Sequence, residues 1–200
     1  MDDGKIHGRT VDMGNPTVVE YIRQNTDDHG ERDMAKNFPL FVDVSNKKMI
    51  VYGAGKIASR RVETLLAFAP SLTIIAPEAS DSIRRAAEQH LLCHRTERYI
   101  PGSIPEDTFL VLAATDDQAV NEAIWQECRK KQILVNVCSN REHCDFQFPG
   151  IASKGDLVIG INAGGGNHHL AKAWTDKIRK EVMKDGFDDE TEKTSDVSKA

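Results

Sequence analysis

The chain alternates short apolar runs with longer stretches in which apolar residues recur every three or four positions. The runs predict buried strands over residues 49–52, 72–76, 91–94, 109–114 and 133–137. Three of these strands are each followed by a stretch of helical periodicity, over residues 57–69, 79–89 and 118–130. Strands that alternate with helices in this way predict an α/β fold with a Rossmann-like, doubly wound parallel sheet, which binds ligands at the carboxyl ends of its strands.

The pattern changes after the fifth strand, where a helix no longer separates the apolar runs. Strands are predicted over residues 146–151 and 157–162, a turn over 153–156, a glycine run over 164–166 and a helix over 168–182. These elements predict a small appended α+β unit over residues 146–183, which we expect to carry a dimer contact and part of the substrate site. The Rossmann-like domain then spans residues 37–145.

The two ends of the chain differ from this centre in composition. Residues 1–36 are rich in Asp, Gly and Asn and lack a sustained apolar period, which predicts a flexible extension, and residues 184–200 predict a disordered acidic tail. The formal charge of −5 comes from these ends, because residues 38–183 carry a net charge of +1. A centre without a broad basic face gives no indication of nucleic-acid binding.

Membrane insertion and secretion have no support in the sequence. No apolar run reaches the length of a membrane span, and the polar, acid-containing N-terminus lacks the apolar core of a signal peptide, so we expect a cytoplasmic protein. Of the four cysteines, Cys93, Cys128, Cys138 and Cys144, only the last two, with His143 beside Cys144, are close enough in sequence to suggest metal ligation. Their spacing matches no common zinc pattern, so we predict reduced, partly buried thiols and no metal site.

The candidate chemistry begins at a glycine turn between the first strand and the first helix. Gly53 permits a tight turn, Gly55 lets the backbone approach a pyrophosphate, and Ala58 is the third small residue, where helix and strand pack closely. The amides of the first helical turn would then point at the anion. Glu78, after the second strand, lies near where an acid that binds a ribose belongs. The glycines could instead only build the turn, but the complete βαβ unit favours a dinucleotide.

Four longer segments extend this interpretation. They are FPLFVDVSNKKMIVYGAGKIASRR, LTIIAPE, FLVLAATDDQAVN and ILVNVCSNREHCDFQFPGIASKGDLVIGINAGGG. In order and spacing these segments resemble the precorrin-2 dehydrogenase and sirohydrochlorin ferrochelatase family, which forms part of siroheme synthase. The resemblance implies an NAD-dependent oxidation of precorrin-2 to sirohydrochlorin, in bifunctional members an insertion of Fe(II) into that product, and a homodimer. Because family chains begin just before the FPLF segment, residues 1–33 are expected to come from an upstream start assignment.

The resemblance also assigns cofactor and substrate residues by position. NAD would be bound by the phosphate loop, by the adenosine side and by the segment after the fourth strand, which together comprise Gly53, Gly55, Lys56, Ile57, Pro77, Glu78, Ala114 and Thr115. The macrocycle would be bound by Asn136, Gly164 and Gly165. Because it carries many carboxylates it also needs basic groups, and Lys154 and Lys172, near the glycine segment, are candidates, although a surface lysine is usually only solvated. If Glu78 faces the ribose, it should repel a 2′-phosphate and so favour NAD over NADP.

Two departures from the family concern catalysis. The aspartate that the family has after the fifth strand is Ser139 here, and a serine hydroxyl is a poor general base without a partner that activates it. The serine that precedes the family's glycines is Ala163. Ser139 keeps the catalytic position, and Asp116 and His168 are candidates to replace the missing acid, although a solvated loop aspartate and a helix-capping histidine are the alternatives.

The leading hypothesis is therefore an NAD-dependent precorrin-2 dehydrogenase, with precorrin-2 as its partner and Fe(II) as a second substrate if it is also a chelatase. The alternative is a catalytically weak relative that binds NAD or a tetrapyrrole and serves as a carrier or sensor, which Ser139, Ala163 and the short C-terminus favour. A dehydrogenase for an unrelated small molecule has only the glycine turn in its favour.

Overall fold

A computed structural model describes residues 37–68, 70–164 and 167–182 of the chain. The chain divides into two compact units, Met1–Phe38 and Pro39–Ala200, and only Asn37 and Phe38 of the first unit are described. The predicted N-terminal extension and acidic tail lie outside the described residues, as does Gly165. All elements below belong to the second unit.

Five parallel strands form the centre of this unit, as the sequence predicts. They are β1 (Lys48–Tyr52), β2 (Ser71–Ile75), β3 (Cys93–Arg95), β4 (Leu110–Ala113) and β5 (Leu134–Val137), in the spatial order β3-β2-β1-β4-β5. Three helices connect them, α1 (Lys56–Leu66), α2 (Asp81–Glu88) and α3 (Gln118–Lys131). The predicted Rossmann-like, doubly wound sheet is confirmed.

Successive strand residues point to opposite faces of the sheet, and helices cover both faces, so the central strands are buried on both sides. In β1, Met49 and Val51 pack in one apolar cluster with Val62 of α1 and Ile83 of α2. The alternate residues of the same strand belong to a second cluster on the opposite face, together with Ile124 and Cys128 of α3 and Val135 and Val137 of β5. Continuous apolar runs are thus the sequence pattern expected of these strands.

An antiparallel hairpin and a helix follow the parallel sheet. They are β6 (Gly150–Lys154), β7 (Leu157–Ile161) and α4 (His168–Val182), with Gly150 paired to Ile161. The prediction that the first hairpin strand covers residues 146–151 is wrong, because Phe146 and Phe148 instead pack against the core of the parallel sheet. The predicted turn at 153–156 is likewise shortened to Gly155 and Asp156, where Gly155 takes a φ of +54°.

One buried carboxylate fixes the long loop between β3 and β4. Glu127 of α3 accepts hydrogen bonds from the Tyr99 hydroxyl and from the backbone amides of Gly102 and Ile104, at 2.7, 2.8 and 2.8 Å. Lys131 Nζ lies 2.6 Å from the same carboxylate. Burial alone would raise the pKa of Glu127, but these hydrogen bonds together lower it below its ordinary value of 4.5. The loop is thus held by an ionised group.

Candidate functional site

The carboxyl ends of β1, β2, β4 and β5 lie along one edge of the sheet. The chain turns from β1 to one neighbour, β2, and reaches the other, β4, only after β3, so the strand order reverses between β1 and β4. Open α/β sheets bind ligands in the crevice at such a reversal. The glycine turn that the sequence analysis selected follows β1 directly and therefore lies at this position.

Gly53 is held against the segment that follows β4. Its φ of +96° is one that side-chain-bearing residues rarely adopt. A Cβ at this position would lie 2.4 Å from the Ala114 carbonyl oxygen and 2.9 Å from the Thr115 amide nitrogen. The predicted tight turn is therefore present. Only a glycine fits it, and Ala114 and Thr115 form its opposite wall.

The N-terminus of α1 is open where a phosphate group would bind. Gly55 is its N-cap residue, no side chain caps it, and a Cβ on Gly55 would meet nothing within 4 Å. Lys56 and Ile57 of the first turn are exposed, whereas Ala58 is fully buried against the sheet, as predicted for the third small residue. Backbone amides that face open space at a positive helix end suit an anion, so these residues fit the pyrophosphate of a dinucleotide.

The segment after β2 lies beside this phosphate loop. Pro77 and Glu78 are both exposed at the end of β2, on the side where the adenosine half is expected. The Ser80 amide donates to the Ala54 carbonyl at 3.3 Å, and the Ser80 hydroxyl lies 2.8 Å from the Ser59 hydroxyl. These bonds join the two loops and fix Glu78 relative to the glycine turn.

Asn121 of α3 connects the segments that follow β4 and β5. Its amide oxygen accepts hydrogen bonds from the Thr115 amide at 3.1 Å and from the Thr115 hydroxyl at 2.8 Å. Its amide nitrogen donates to the Thr115 carbonyl at 3.0 Å and to the Ser139 hydroxyl oxygen at 3.3 Å. Asn121 is 1% exposed and is not among the site residues predicted from the sequence. One buried amide thus positions a predicted cofactor residue and a predicted catalytic residue.

A cavity of about 380 Å³ opens beside Ser139. It is lined by the first turns of α3 and by residues between Val137 and His143. His143 stacks on Trp125 with a centroid distance of 3.9 Å, and its Nδ1 lies 3.0 Å from Glu122 Oε2. In the sequence, His143 was notable only as a neighbour of Cys144. The polar residues Asn121 and Glu122, adjacent at the start of a helix after a strand end, were the available signal.

The other predicted catalytic residues lie at the surface. Asp116 is exposed in the turn between β4 and α3, whose helix is capped by Asp117, with the Asp117 carboxylate accepting from the Ala119 amide at 2.8 Å. His168 is exposed at the first position of α4, and Asn167, not a histidine, caps that helix by accepting from the Leu170 amide at 2.9 Å. Neither candidate shares the cavity beside Ser139.

The predicted substrate residues occupy different environments. Gly164 approaches the segment after Ser139, because the Arg141 guanidinium donates to the Gly164 carbonyl at 2.8 Å. Lys154 ends β6, and Lys172 forms an exposed ion pair with Asp176 at 2.6 Å. A role for these residues in substrate binding stays a prediction.

Asn136 is buried, and both the nitrogen and the oxygen of its side-chain amide form hydrogen bonds. Its amide nitrogen donates to the Phe146 carbonyl at 2.8 Å, and its oxygen accepts from the Arg61 guanidinium. Arg61 also contacts Cys138 Sγ at 2.8 Å and lies over the Phe148 ring, 5.2 Å from its centroid. Asn136 therefore ties α1 to the segment after β5, and any effect on a ligand would act through these neighbours.

All four cysteines are unpaired; Cys138 and Cys144 are partly buried, as predicted, whereas Cys93 is exposed. Cys128 is fully buried, and its surroundings raise the pKa of its thiol to about 12, mainly by desolvation. Burial also raises the pKa values of Cys138 and Cys144.

No helix among the described residues is long and apolar enough to span a membrane.

Comparisons with known proteins agree with this geometry. Residues 40–150 match a family model described as "Putative NAD(P)-binding". The chain is 37% identical over 144 residues to the "Probable multifunctional siroheme biosynthesis protein HemA" of Ruminiclostridium josui, covering 72% of this chain and 28% of that protein. It is 35% identical over 128 residues to the siroheme synthase of Pseudoalteromonas atlantica, covering 64% and 28%. The chain thus spans little more than a quarter of these curated relatives.

A solved structure extends the agreement to the backbone. The structure described as SirC, precorrin-2 dehydrogenase, superposes with a TM-score of 0.65 and 26% sequence identity, covering 72% of this chain and 70% of that one. The family match covers more than half of the chain and includes the glycine turn, the Glu78 segment and both Asn121 partners. The chain therefore belongs to the NAD(P)-binding family that this model describes, and it is similar in sequence to siroheme synthases and in fold to a precorrin-2 dehydrogenase.

Proposed function

We propose that this chain oxidises precorrin-2 to sirohydrochlorin and transfers the hydride to NAD. The observation that carries the proposal is the open, uncapped helix end behind Gly55, located at the strand reversal of a chain in this family. Two curated relatives are named for siroheme synthesis, and a solved neighbour is named a precorrin-2 dehydrogenase. The chain matches 28% of each curated relative, and the proposal concerns the dehydrogenation step, with Fe(II) insertion tested separately.

The residues of the chain would divide the work of binding. The amides behind Gly55 would hold the pyrophosphate, Glu78 would accept a hydrogen bond from the ribose 2′-hydroxyl and repel a 2′-phosphate, and Ala114 and Thr115 would lie along the dinucleotide. NAD, when bound, supplies the hydride acceptor. Asn121 would keep Thr115 and Ser139 in a fixed relation, so that the macrocycle meets the cofactor in one orientation.

Turnover with the natural substrate tests the proposal. Purified protein is incubated with anaerobically prepared precorrin-2 and NAD, and NADH and sirohydrochlorin absorbance are followed together. We expect both products in equal amounts, and a much weaker reaction when NADP replaces NAD. Precorrin-2 that remains unchanged while NAD binds tightly would contradict the enzyme function.

That outcome would favour the second candidate, a carrier or sensor of NAD or a tetrapyrrole. The observation in its favour is Ser139, whose hydroxyl oxygen accepts from Asn121 and stands where the family has an aspartate. Sirohydrochlorin and precorrin-2 binding, measured by fluorescence quenching in the absence of turnover, distinguishes a tetrapyrrole carrier from an NAD sensor.

Three further expectations belong to this proposal. A homodimer is supported by Leu157, Leu170 and Trp174 of the appended unit, each nearly half exposed, and light scattering would give twice the chain mass of 22.2 kDa. Fe(II) insertion is tested by adding anaerobic Fe(II) to the sirohydrochlorin product. A cytoplasmic location fits the four unpaired cysteines and is tested by cell fractionation.

A further inference from the structure

The cavity beside Ser139 lies on the side of the strand reversal away from Glu78. Glu78 follows β2, the phosphate loop follows β1, and the cavity follows β5, which is two strands further along the sheet. A dinucleotide that places its adenosine near β2 and its pyrophosphate at α1 directs its nicotinamide toward β4 and β5. Groups that line this cavity are therefore candidates to act on a substrate that meets the nicotinamide.

His143 is fixed in this cavity by contacts on its ring face and on one nitrogen. Its ring is nearly parallel to that of Trp125, with an interplanar angle of 11°. Nδ1 lies 3.0 Å from Glu122 Oε2, and the other Glu122 oxygen accepts from the Gln126 amide at 3.1 Å. Two elements thus hold the imidazole, since Glu122 and Trp125 belong to α3 and His143 ends the short 3-10 helix Arg141–His143.

The contact with Glu122 determines which ring nitrogen carries the proton. The Asn140 side-chain amide nitrogen lies 3.2 Å from the same Nδ1 and can donate to it, but a carboxylate 3.0 Å away repels a lone pair and attracts an N–H, so we assign the proton to Nδ1. Nε2 then has a free lone pair. Among the described residues no hydrogen-bond partner occupies Nε2, and the His143 side chain is 23% exposed. This is the arrangement of a general base oriented by a carboxylate.

Ser139 is not arranged in this way. Its hydroxyl oxygen accepts from Asn121, and no described basic group contacts it. The residue that replaces the family aspartate thus lines the same cavity as a histidine that has the properties of a base.

We propose that His143, oriented by Glu122, is the base that receives the proton released when the macrocycle is oxidised. The inference rests on the proposed function. One C–H bond of the substrate breaks with its electron pair leaving as the hydride that reduces NAD. A second bond to hydrogen breaks with its electrons staying in the macrocycle, and Nε2 of His143 takes that proton. The macrocycle loses two electrons, NAD gains two, and the imidazolium returns its proton to water.

The first experiment measures turnover in four variants. General bases contribute about 10² to 10⁴ in rate, so His143→Gln should lower kcat about a hundredfold or more, with the Kd for NAD and the KM for precorrin-2 changed less than about threefold. His143→Ala should lose as much and regain about tenfold with added imidazole, which a structural role would not produce. Glu122→Gln, a change in a positioning residue, should lower kcat about tenfold. His90→Gln, at an exposed histidine after α2, is the matched control, with kcat unchanged and insensitive to imidazole.

The second experiment does not depend on activity. Nitrogen-15 spectra of ring-labelled protein should show the His143 proton on Nδ1 and a bare Nε2, and Glu122→Gln should increase the other tautomer. Added sirohydrochlorin should shift the Nε2 resonance.

The outcomes separate the two proposals. The role of His143 alone is overturned if wild-type protein oxidises precorrin-2 and His143→Gln keeps more than about a third of its kcat, or if the proton lies on Nε2. Absence of turnover in the wild-type chain overturns the proposed function, and the role of His143 with it.

Discussion

Gly53→Ala tests whether the phosphate loop has the backbone that the structure gives it. Two costs add at this position. A φ of +96° disfavours any residue with a Cβ, by about 1–2 kcal/mol. The new Cβ would also lie 2.4 Å from the Ala114 carbonyl oxygen, which is backbone and cannot rotate away, and overpacking of this kind costs about 1–3 kcal/mol. We expect the free energy of unfolding to fall by about 2–5 kcal/mol.

Two other glycines separate these costs. Gly102 has a φ of +84° with nothing within 4 Å of a built Cβ, so Gly102→Ala should pay only the conformational cost, about 1–2 kcal/mol. Gly55 has an ordinary φ of −77° and open space around it, so in Gly55→Ala the weaker N-cap and the stiffer unfolded chain should offset each other to within about 1 kcal/mol. The added methyl group faces the expected pyrophosphate, and affinity for NAD should fall by about tenfold, or ~1.4 kcal/mol.

Urea denaturation followed by circular dichroism gives the three stabilities, and isothermal titration calorimetry gives the affinities for NAD. The expected order of stability loss is Gly53→Ala, then Gly102→Ala, then Gly55→Ala, whereas Gly55→Ala should lose affinity without losing stability. If Gly53→Ala is no less stable than Gly102→Ala, the close approach to Ala114 is wrong. If Gly55→Ala binds NAD as wild type does, the pyrophosphate does not lie at this helix end.

Three further perturbations test other parts of the site and its scaffold. Glu127→Gln should lower the free energy of unfolding by about 2–3 kcal/mol at pH 7. Because the pKa of Glu127 is lower in the folded protein than in the unfolded chain, the carboxylate stabilises the fold above a pH of about 4.5, and this stabilisation is lost as the pH falls through the folded pKa. The difference between the urea midpoints of wild type and variant should therefore disappear in acid. Asn121→Ala should cost about 2–3 kcal/mol in thermal unfolding, because it removes the buried amide that pairs with the Thr115 amide, hydroxyl and carbonyl, and should raise the Kd for NAD. Asp117→Ala removes the α3 cap and should cost about 1 kcal/mol, seen as a lower melting temperature with the Kd for NAD little changed.

The sequence predicts the parallel sheet well because its signals are local. Residues 109–114 form a continuous apolar run, and such runs occur where a strand is covered on both faces, which holds for β4. The turn at Gly53 is predictable for the same reason, because the positive φ of this strand-to-helix turn requires a glycine. The strand over residues 146–151 is wrong because the aromatic residues there are buried by the parallel sheet, and a run of apolar residues does not reveal which neighbour covers it.

The candidate site depends on distances between residues that are far apart in the chain. His143 and Glu122 meet only because β5 lies beside β4 and returns the chain to the start of α3. Asn121 contacts Thr115 and Ser139 for the same reason. The local sequence does not show that Asn121 is buried, so these hydrogen bonds could not be predicted from it. Ser139 was predicted because the family has its acid at that position. The sequence does not show that His143, in the 3-10 helix Arg141–His143, lines the same cavity.

The loss of the family aspartate therefore has a different meaning in the folded chain than in the sequence. A carboxylate at position 139 would place a second negative charge in the cavity that already holds Glu122, and like charges in a shared site disfavour ionisation of both. With the neutral Ser139 at this position that repulsion is absent, and the Glu122 carboxylate lies 3.0 Å from Nδ1 of His143. Ser139 is thus compatible with the pair formed by His143 and Glu122. In this chain the proposed base belongs to the 3-10 helix Arg141–His143 and not to the end of β5. A chain of this family with serine at this position but no histidine opposite Glu122 should lack dehydrogenase activity.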